Sequence, residues 1–259
     1  MPLNKDEILR QIFAGEITQL RLPFDIYSHT SKKLLKGVYK GFKNTPRTVK
    51  YNSKDFKLIH SLRANIYHFS AAKTFQQTLK MNKALTKGGK VATWNDFKED
   101  AGIIFDDYND AYLAAEYGTA IASGASAEAW DRFQENKDSE GMLRYIDTEG
   151  QNECEICASF HDTTAPVDDP IWDEIMPPNH YLCQCLMESF DGDITDSILV
   201  DKKLTVRQAI KKMLPEFKHN PGKTGQVFNS HHPYFEVPKE YLSFAKQNFG
   251  FTIPEEDEN

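Results

Sequence analysis

All four cysteines of this 259-residue chain sit in two tight groups, Cys154 and Cys157 in a C-x-x-C knuckle, then Cys183 and Cys185 closing His180-Tyr181-Leu182-Cys183-Gln184-Cys185. Twenty-two residues separate Cys157 from His180. Thiolates so spaced on a turn can aim at one point, and a second group closes a tetrahedron around a closed-shell cation, most simply zinc. Five side chains compete for four places: Cys154, Cys157, His180, Cys183 and Cys185. We expect Cys154 and Cys157 plus two of the other three, because a C-x-C bite strains when both sulfurs chelate. His161 is an outside candidate. Four protein ligands leave no position for water, so the expected zinc is structural. Disulfides would need an oxidising compartment, whereas the start Met1-Pro2-Leu3-Asn4-Lys5-Asp6 reads without an apolar signal segment, so export is not expected. Reduced thiols that merely pack are the other competing reading.

Enzyme chemistries fare worse on the same residues. A nucleobase deaminase needs an upstream H-x-E box, which is lacking. Gly222-Lys223-Thr224 resembles the end of a phosphate loop, but Phe217 stands where the earlier glycine belongs. A metal-dependent nuclease could gather Asp168, Asp169, Asp173 and Glu174 with His161 or His180, although carboxylates beside prolines are more often solvated turn formers. A cysteine nucleophile would lose its thiolate to the metal.

The elements that must position these donors are mostly helical up to about residue 140. Asn4 caps a helix over Lys5 to Phe13, with Glu7 completing the capping pattern, and Gly15 breaks it. After Leu22-Pro23, the apolar positions Ile26, Leu34, Leu35, Val38 and Phe42 suit a second helix ending near Asn44-Thr45-Pro46. Ser53 opens the strongest helix, Lys54 to about Lys83, with Ile59, Leu62, Ile66 and Phe69 as its stripe and His60 and His68 at its boundary; Gly88-Gly89 ends the segment. Thr93 caps Trp94 to about Asp106, and further helices are expected over 107–121 and 127–136. Between those two, the small residues of 120–127, with Gly118 and Gly124, predict either close backbone approach or a break. Met142 to Asp147 alternates as a strand does, and Thr148-Glu149-Gly150 turns toward the knuckle. The Pro- and Asp-rich stretch 163–179 reads as an irregular loop that wants a staple. A helix over Thr205 to Leu214, a turn over 217–223, an apolar anchor at His231 to Phe235, a last helix from Pro238 to Phe249 and an acidic, frayed tail over 254–259 complete the reading.

The net charge of -7 is unevenly spread: residues 1–100 carry 19 Lys and Arg against 8 Asp and Glu, and the remainder carries 12 against 30. A basic half can neutralise phosphates or an acidic protein surface, yet its lysines are dispersed, so weak non-specific DNA contact through residues 1–100 is a secondary expectation. No stretch approaches the roughly 18 apolar residues of a membrane span.

The run Pro177-Pro178-Asn179-His180-Tyr181-Leu182-Cys183-Gln184-Cys185 resembles the P-P-x-H-P-x-C-R-C box of the phage Mu F-like family of minor head, or head morphogenesis, proteins of tailed phages. Residues 122–130, Leu143 to Asp147, the knuckle, Asp168 to Trp172, Asn220-Pro221-Gly222-Lys223 and His232-Pro233-Tyr234 are similar to that family in order and spacing. Tyr181 replaces its Pro and Gln184 its Arg, so any contact made by that Arg is not carried over. The resemblance implies a non-catalytic assembly protein that meets portal and capsid or scaffold proteins in the host cytoplasm, enters the virion head, and contacts packaged DNA. A zinc-stapled adaptor or toxin-delivery module is the alternative. The expected fold class is α+β, mostly helical, with an N-terminal helical region followed by a small α+β zinc-stapled region. The expected domains are a basic helical region (1–92), a Mu F-like domain with the Cys/His site (93–201) and an extension packed on it (202–259).

Overall fold

The computed structural model describes residues 3–138, 141–148, 154–191 and 196–248. It is mostly helical with a small sheet region, the fold class expected from the sequence. Two compact units divide it: the described parts of 1–34, 66–115 and 230–259 form the first, and those of 35–65 and 116–229 the second. The turn at Glu149-Gly150 and the acidic tail lie outside the described residues, as does Phe249 at the end of the last expected helix.

In the first unit, α1 (Lys5–Phe13) starts where Asn4 accepts the Glu7 amide at 3.2 Å, satisfying an orphan donor of the first turn. Its Ile8, Leu9 and Ile12 bury against Phe97, Ala101 and Phe105 of α4 (Trp94–Asp106), in a core shared with Ile26 and Met81. Thr93 caps α4 by accepting the Asp96 amide at 3.2 Å. Ion pairs Lys5–Asp106 (2.6 Å) and Lys98–Asp6 (3.0 Å) border that contact. Gly88-Gly89 does more than end a helix: with φ of 59° and 78° it turns a two-residue hairpin between β1 (Thr86–Lys87) and β2 (Lys90–Val91).

Three long helices contribute residues to both units: α2 (Phe24–Phe42), α3 (Lys54–Lys83) and α5 (Tyr112–Glu135), the last joined to α4 by one π turn over Asp107–Ala111. The expected stripe of α3, Ile59, Leu62, Ile66 and Phe69, is fully buried, while His60 and His68 are half-buried. Beyond the stripe, Lys73, Thr74, Gln77 and Thr78 are buried too, and the hydroxyls of Thr74 and Thr78 bond back to the carbonyls four residues earlier, each at 2.7 Å. The anchor at 231–235 packs on this helix, with His232 4.8 Å and Tyr234 5.4 Å from the Phe69 ring, and Gln76 Nε2 donates to the Tyr234 carbonyl at 3.2 Å. The last helical segment is a 3-10 turn over Lys239–Tyr241 followed by α10 (Leu242–Asn248).

In the second unit, the small residues of α5 prove to serve close approach rather than a break, so the two helices expected over 107–121 and 127–136 are one. A Cβ on Gly41 would stand 1.9 Å from the Ile121 carbonyl oxygen, and one on Gly124 2.5 Å from that of Val38. β3 (Met142–Ile146) is the centre of a three-stranded antiparallel sheet, flanked by β4 (Thr164–Pro166) and β5 (Leu186–Ser189). Alternation sends Leu143 and Tyr145 into the core and leaves Arg144 on the outer face, where it pairs with Glu188 of β5. α6 (Glu155–Phe160), α7 (Trp172–Ile175) and α8 (Asp196–Lys212), longer than the helix expected from Thr205, share one core with this sheet, and the single turn α9 (Pro221–Thr224) follows in the chain. Stretch 163–179 is thus less irregular than expected, because it holds β4 and α7. Its Trp172 is fully buried with Nε1 donating to the Pro166 carbonyl at 2.7 Å. Elements of three and four residues carry no readable period; pairing with β3 and burial of one large ring define them.

Candidate metal centre

α6 presents the knuckle: Cys154 is its N-cap residue and Cys157 lies in its first turn, fully buried against the sheet region. The second group arrives through the cis Pro177-Pro178 peptide and a tight turn in which the Cys183 amide donates to the His180 carbonyl at 3.3 Å. From there the chain runs into β5, so Cys185 immediately precedes the strand that pairs with β3.

The five expected ligands come together in two overlapping groups. The donor atoms of Cys154, Cys157 and His180 lie within 4.8 Å of one another, and so do those of Cys157, Cys183 and Cys185. Cys157 belongs to both. Because a carbonyl only accepts, His180 Nδ1 must donate to the Tyr181 carbonyl at 2.7 Å, which leaves the Nε2 lone pair for a metal. His161 is not in either group; its Nδ1 accepts the Asp147 amide at 3.1 Å.

Electrostatics within the cluster suit a cation. Hydrogen bonds with the Cys157 and Cys185 thiols bring the Cys183 pKa down to about 3, against its burial, and the backbone at Asn179 and Cys185 helps. The reciprocal bonds with Cys183 and Cys185, together with burial, push Cys157 up. Cys185 is lowered by Cys157, but Cys183 and burial outweigh that and raise it. One thiolate is therefore solvated by two neighbouring thiols, a proton-sharing arrangement that a divalent ion replaces by direct coordination. Buried Tyr145, raised by desolvation and by the nearby Cys183 charge, stays a neutral donor and gives its hydroxyl proton to Asn179 Oδ1 at 2.8 Å.

Sequence reasoning missed Tyr145, Asn179 and Asp147 as partners of the cluster. Asp147 Oδ1 accepts from the Cys185 sulfur at 3.3 Å, and Thr148 Oγ1 donates to the Gln184 carbonyl at 3.0 Å. The signal is the strand register: Ile146 faces Leu186 in an antiparallel ladder, which sets Asp147 beside Cys185. Acidic residues weighed for a nuclease are engaged elsewhere. Asp168 lies 3.6 Å from Lys137 Nζ, Asp169 accepts the Ile171 amide at 2.8 Å, and Asp173 pairs with Lys223. None of them, nor Glu174, joins a histidine in a metal-capable group among the described residues.

Residues 66–188 match the family model for phage Mu protein F like protein, which bears out the family expected from the Pro-Pro-x-His box. The matched span contains the knuckle, the second ligand group and β3. No curated protein and no solved structure matches the chain. Among the described residues no helix is long and apolar enough to cross a membrane.

Proposed function

We propose that this chain, whose residues 66–188 carry the phage Mu protein F like region, is a minor head protein of a tailed phage or prophage that docks on the portal or the capsid interior without doing chemistry. The Mu F-like family is one of structural, head morphogenesis proteins. The observation that carries this reading is the coincidence of that match with the five-donor cluster, which falls wholly inside it. A structural zinc held by four of Cys154, Cys157, His180, Cys183 and Cys185 fixes stretch 158–179 and the strand around Tyr145 as one rigid face for a partner. In this reading 93–201 is the head morphogenesis domain, 1–92 a basic helical region that meets DNA weakly, and 202–259 an extension packed on the domain. Its places are the host cytoplasm during assembly and then the virion head.

The test is protein mass spectrometry of density-purified heads from the producing phage, beside procapsids and the cleared host lysate. The chain should be enriched in heads at few copies relative to the major shell protein. Recovery only in the lysate would overturn the assignment. For the basic region, gel shifts of the full chain on duplex DNA should weaken steeply with added salt, because phosphate contacts release counterions. Tight, salt-insensitive binding would contradict it.

A further inference from the structure

We propose that the elbow between α2 and α3, residues 36–57, is the surface on which this chain holds the phosphate backbone of duplex DNA; this deepens the reading of a basic region that meets DNA, and rests on it. The stretch carries seven Lys and Arg against one Asp, in a chain that has 31 against 38 overall. All seven basic residues are exposed. Lys36 and Lys40 stand one turn apart on α2, and Lys43 follows its end. Arg47 and Lys50 occupy the connection, and Lys54 and Lys57 share the first turn of α3.

The fold orders this surface and leaves its charge standing. In the connection the Thr45 amide donates to Thr48 Oγ1 at 2.8 Å, the Thr48 amide to the Thr45 carbonyl at 3.0 Å, and Ser53 Oγ to the Lys50 carbonyl at 2.7 Å. The backbone that bears Arg47 and Lys50 is thereby held. Asp55, the one acid of the stretch, is half-buried and hydrogen-bonded to Asp131 of α5. Lys54 acts on the Asp131 carboxyl, yet among the described residues none of the seven cations stands in an ion pair. Lysines of the first unit differ: Lys5, Lys87 and Lys98 are paired with Asp106, Asp100 and Asp6. What reads in the sequence as a dispersed basic half is sorted by the fold into paired cations there and unneutralised ones at the elbow. The composition of the elbow suits a phosphate backbone better than a protein, since protein interfaces are depleted of lysine and charge at their centre. Its one large exposed apolar side chain is Tyr51, 74% exposed and held edge-on against Phe56 at 5.0 Å. A tyrosine hydroxyl is itself a donor to phosphate. Duplex DNA, the polyanion a phage head encloses, is the occupant that fits. Lys36 to Lys43 spans about 10 Å of helix, room for about three successive phosphates of one strand.

The experiment is a fluorescence-anisotropy titration of the tag-free full chain on two duplexes of unrelated sequence, at roughly 50 to 200 mM salt. Both duplexes should bind alike, and binding to one sequence alone would refute a backbone contact. Lys40→Gln, Arg47→Gln and Lys50→Gln together should lower affinity on the order of a hundredfold at the low-salt end and reduce the salt slope by roughly 2 to 3, since each phosphate contact contributes about 0.9. Lys83→Gln, Lys90→Gln and Lys211→Gln remove the same charge from exposed positions elsewhere and should leave affinity and slope near the parent's. Equal losses in the two triple variants overturn the elbow and leave a diffuse basic region that meets DNA; no binding by the parent at low salt overturns both. The elbow variant should melt with the parent, because its three side chains are exposed. If it melts lower, Lys40→Gln alone decides, with an expected loss of about 0.9 in slope. Binding of polyglutamate, with neither duplex bound, would assign the elbow to an acidic protein instead.

Discussion

The α1–α4 contact of the first unit and the sheet region of the second hold short elements together by different means. In the former, Ile8, Leu9 and Ile12 recur at helical spacing and bury against Phe97, Ala101 and Phe105, and caps at Asn4 and Thr93 satisfy the first turns. The latter has strands of five, three and four residues, too short to be stable alone, and a 22-residue excursion between Cys157 and His180. Apolar periodicity suffices where elements are long enough to have a period. Where they are not, the Cys and His side chains that flank the excursion converge at its base. Metal removal is the sharpest way to break this comparison: apparent binding of structural zinc is about 10–16 kcal/mol, so chelation should cost the second unit several kcal/mol. Hydrogen exchange should show the β3 amides losing protection while α1 and α4 keep theirs. Equal loss in both, or unchanged melting after verified removal, defeats the contrast.

Backbone approach gives the next largest effect. Gly41→Ala drives a methyl group into the Ile121 carbonyl, 1.9 Å away, where only backbone movement can make room, and should cost about 3 kcal/mol. Gly102 of α4 offers the opposite case, since its Cβ would meet only the flexible end of Lys5 at 3.5 Å. Gly102→Ala should therefore stabilise the first unit by roughly 0.5–1 kcal/mol through helix propensity. Denaturant titration of the two variants measures both, and a shared sign would undo the distinction.

These cases also explain what could be read from the chain before its fold. Helices α1, α3 and α4 follow from a cap residue plus a 3.6-residue period; Ser53 indeed accepts the Phe56 amide at 3.1 Å at the start of α3. The all-round burial of α3 near Gln77 was not legible, because a polar residue on a helix reads as a solvent face unless its neighbours are known. Small residues in α5 announced something unusual without deciding between approach and break, since the decision belongs to α2. β4 and α7 were invisible because their register is imposed by β3 and by Trp172. The gathering of the five Cys and His donors, in contrast, was legible, as chelation needs particular atoms at short spacing. Tyr145 and Asn179, 34 residues apart, and Asp147 meet the cluster only through the sheet, and no local pattern carries that.

The smallest expected effect sharpens the comparison through its sign. In the first unit, Lys98 holds the Asp6 carboxyl below its ordinary range, so that contribution is present above the unfolded pKa and fades as pH falls. Asp131 in the second unit behaves oppositely. Burial and a hydrogen bond with Asp55, then the Asp55 charge, raise it to about 6, with Lys54 opposing and Glu135 adding to the rise. A folded pKa above the unfolded value means that the protonated pair is favoured: stability grows as pH falls through 6 and the ionised pair is penalised above it. Asp131 is half-buried, and its solvent contact screens the penalty to roughly 0.5 kcal/mol. Asp131→Asn keeps a donor toward Asp55 without the second charge. The variant should therefore melt above the parent at pH 8, with the gap closing between pH 6 and pH 4. A gap that stays constant over that range would mean that the two carboxyls do not share a proton, and would remove the pair from any account of how this unit responds to acid.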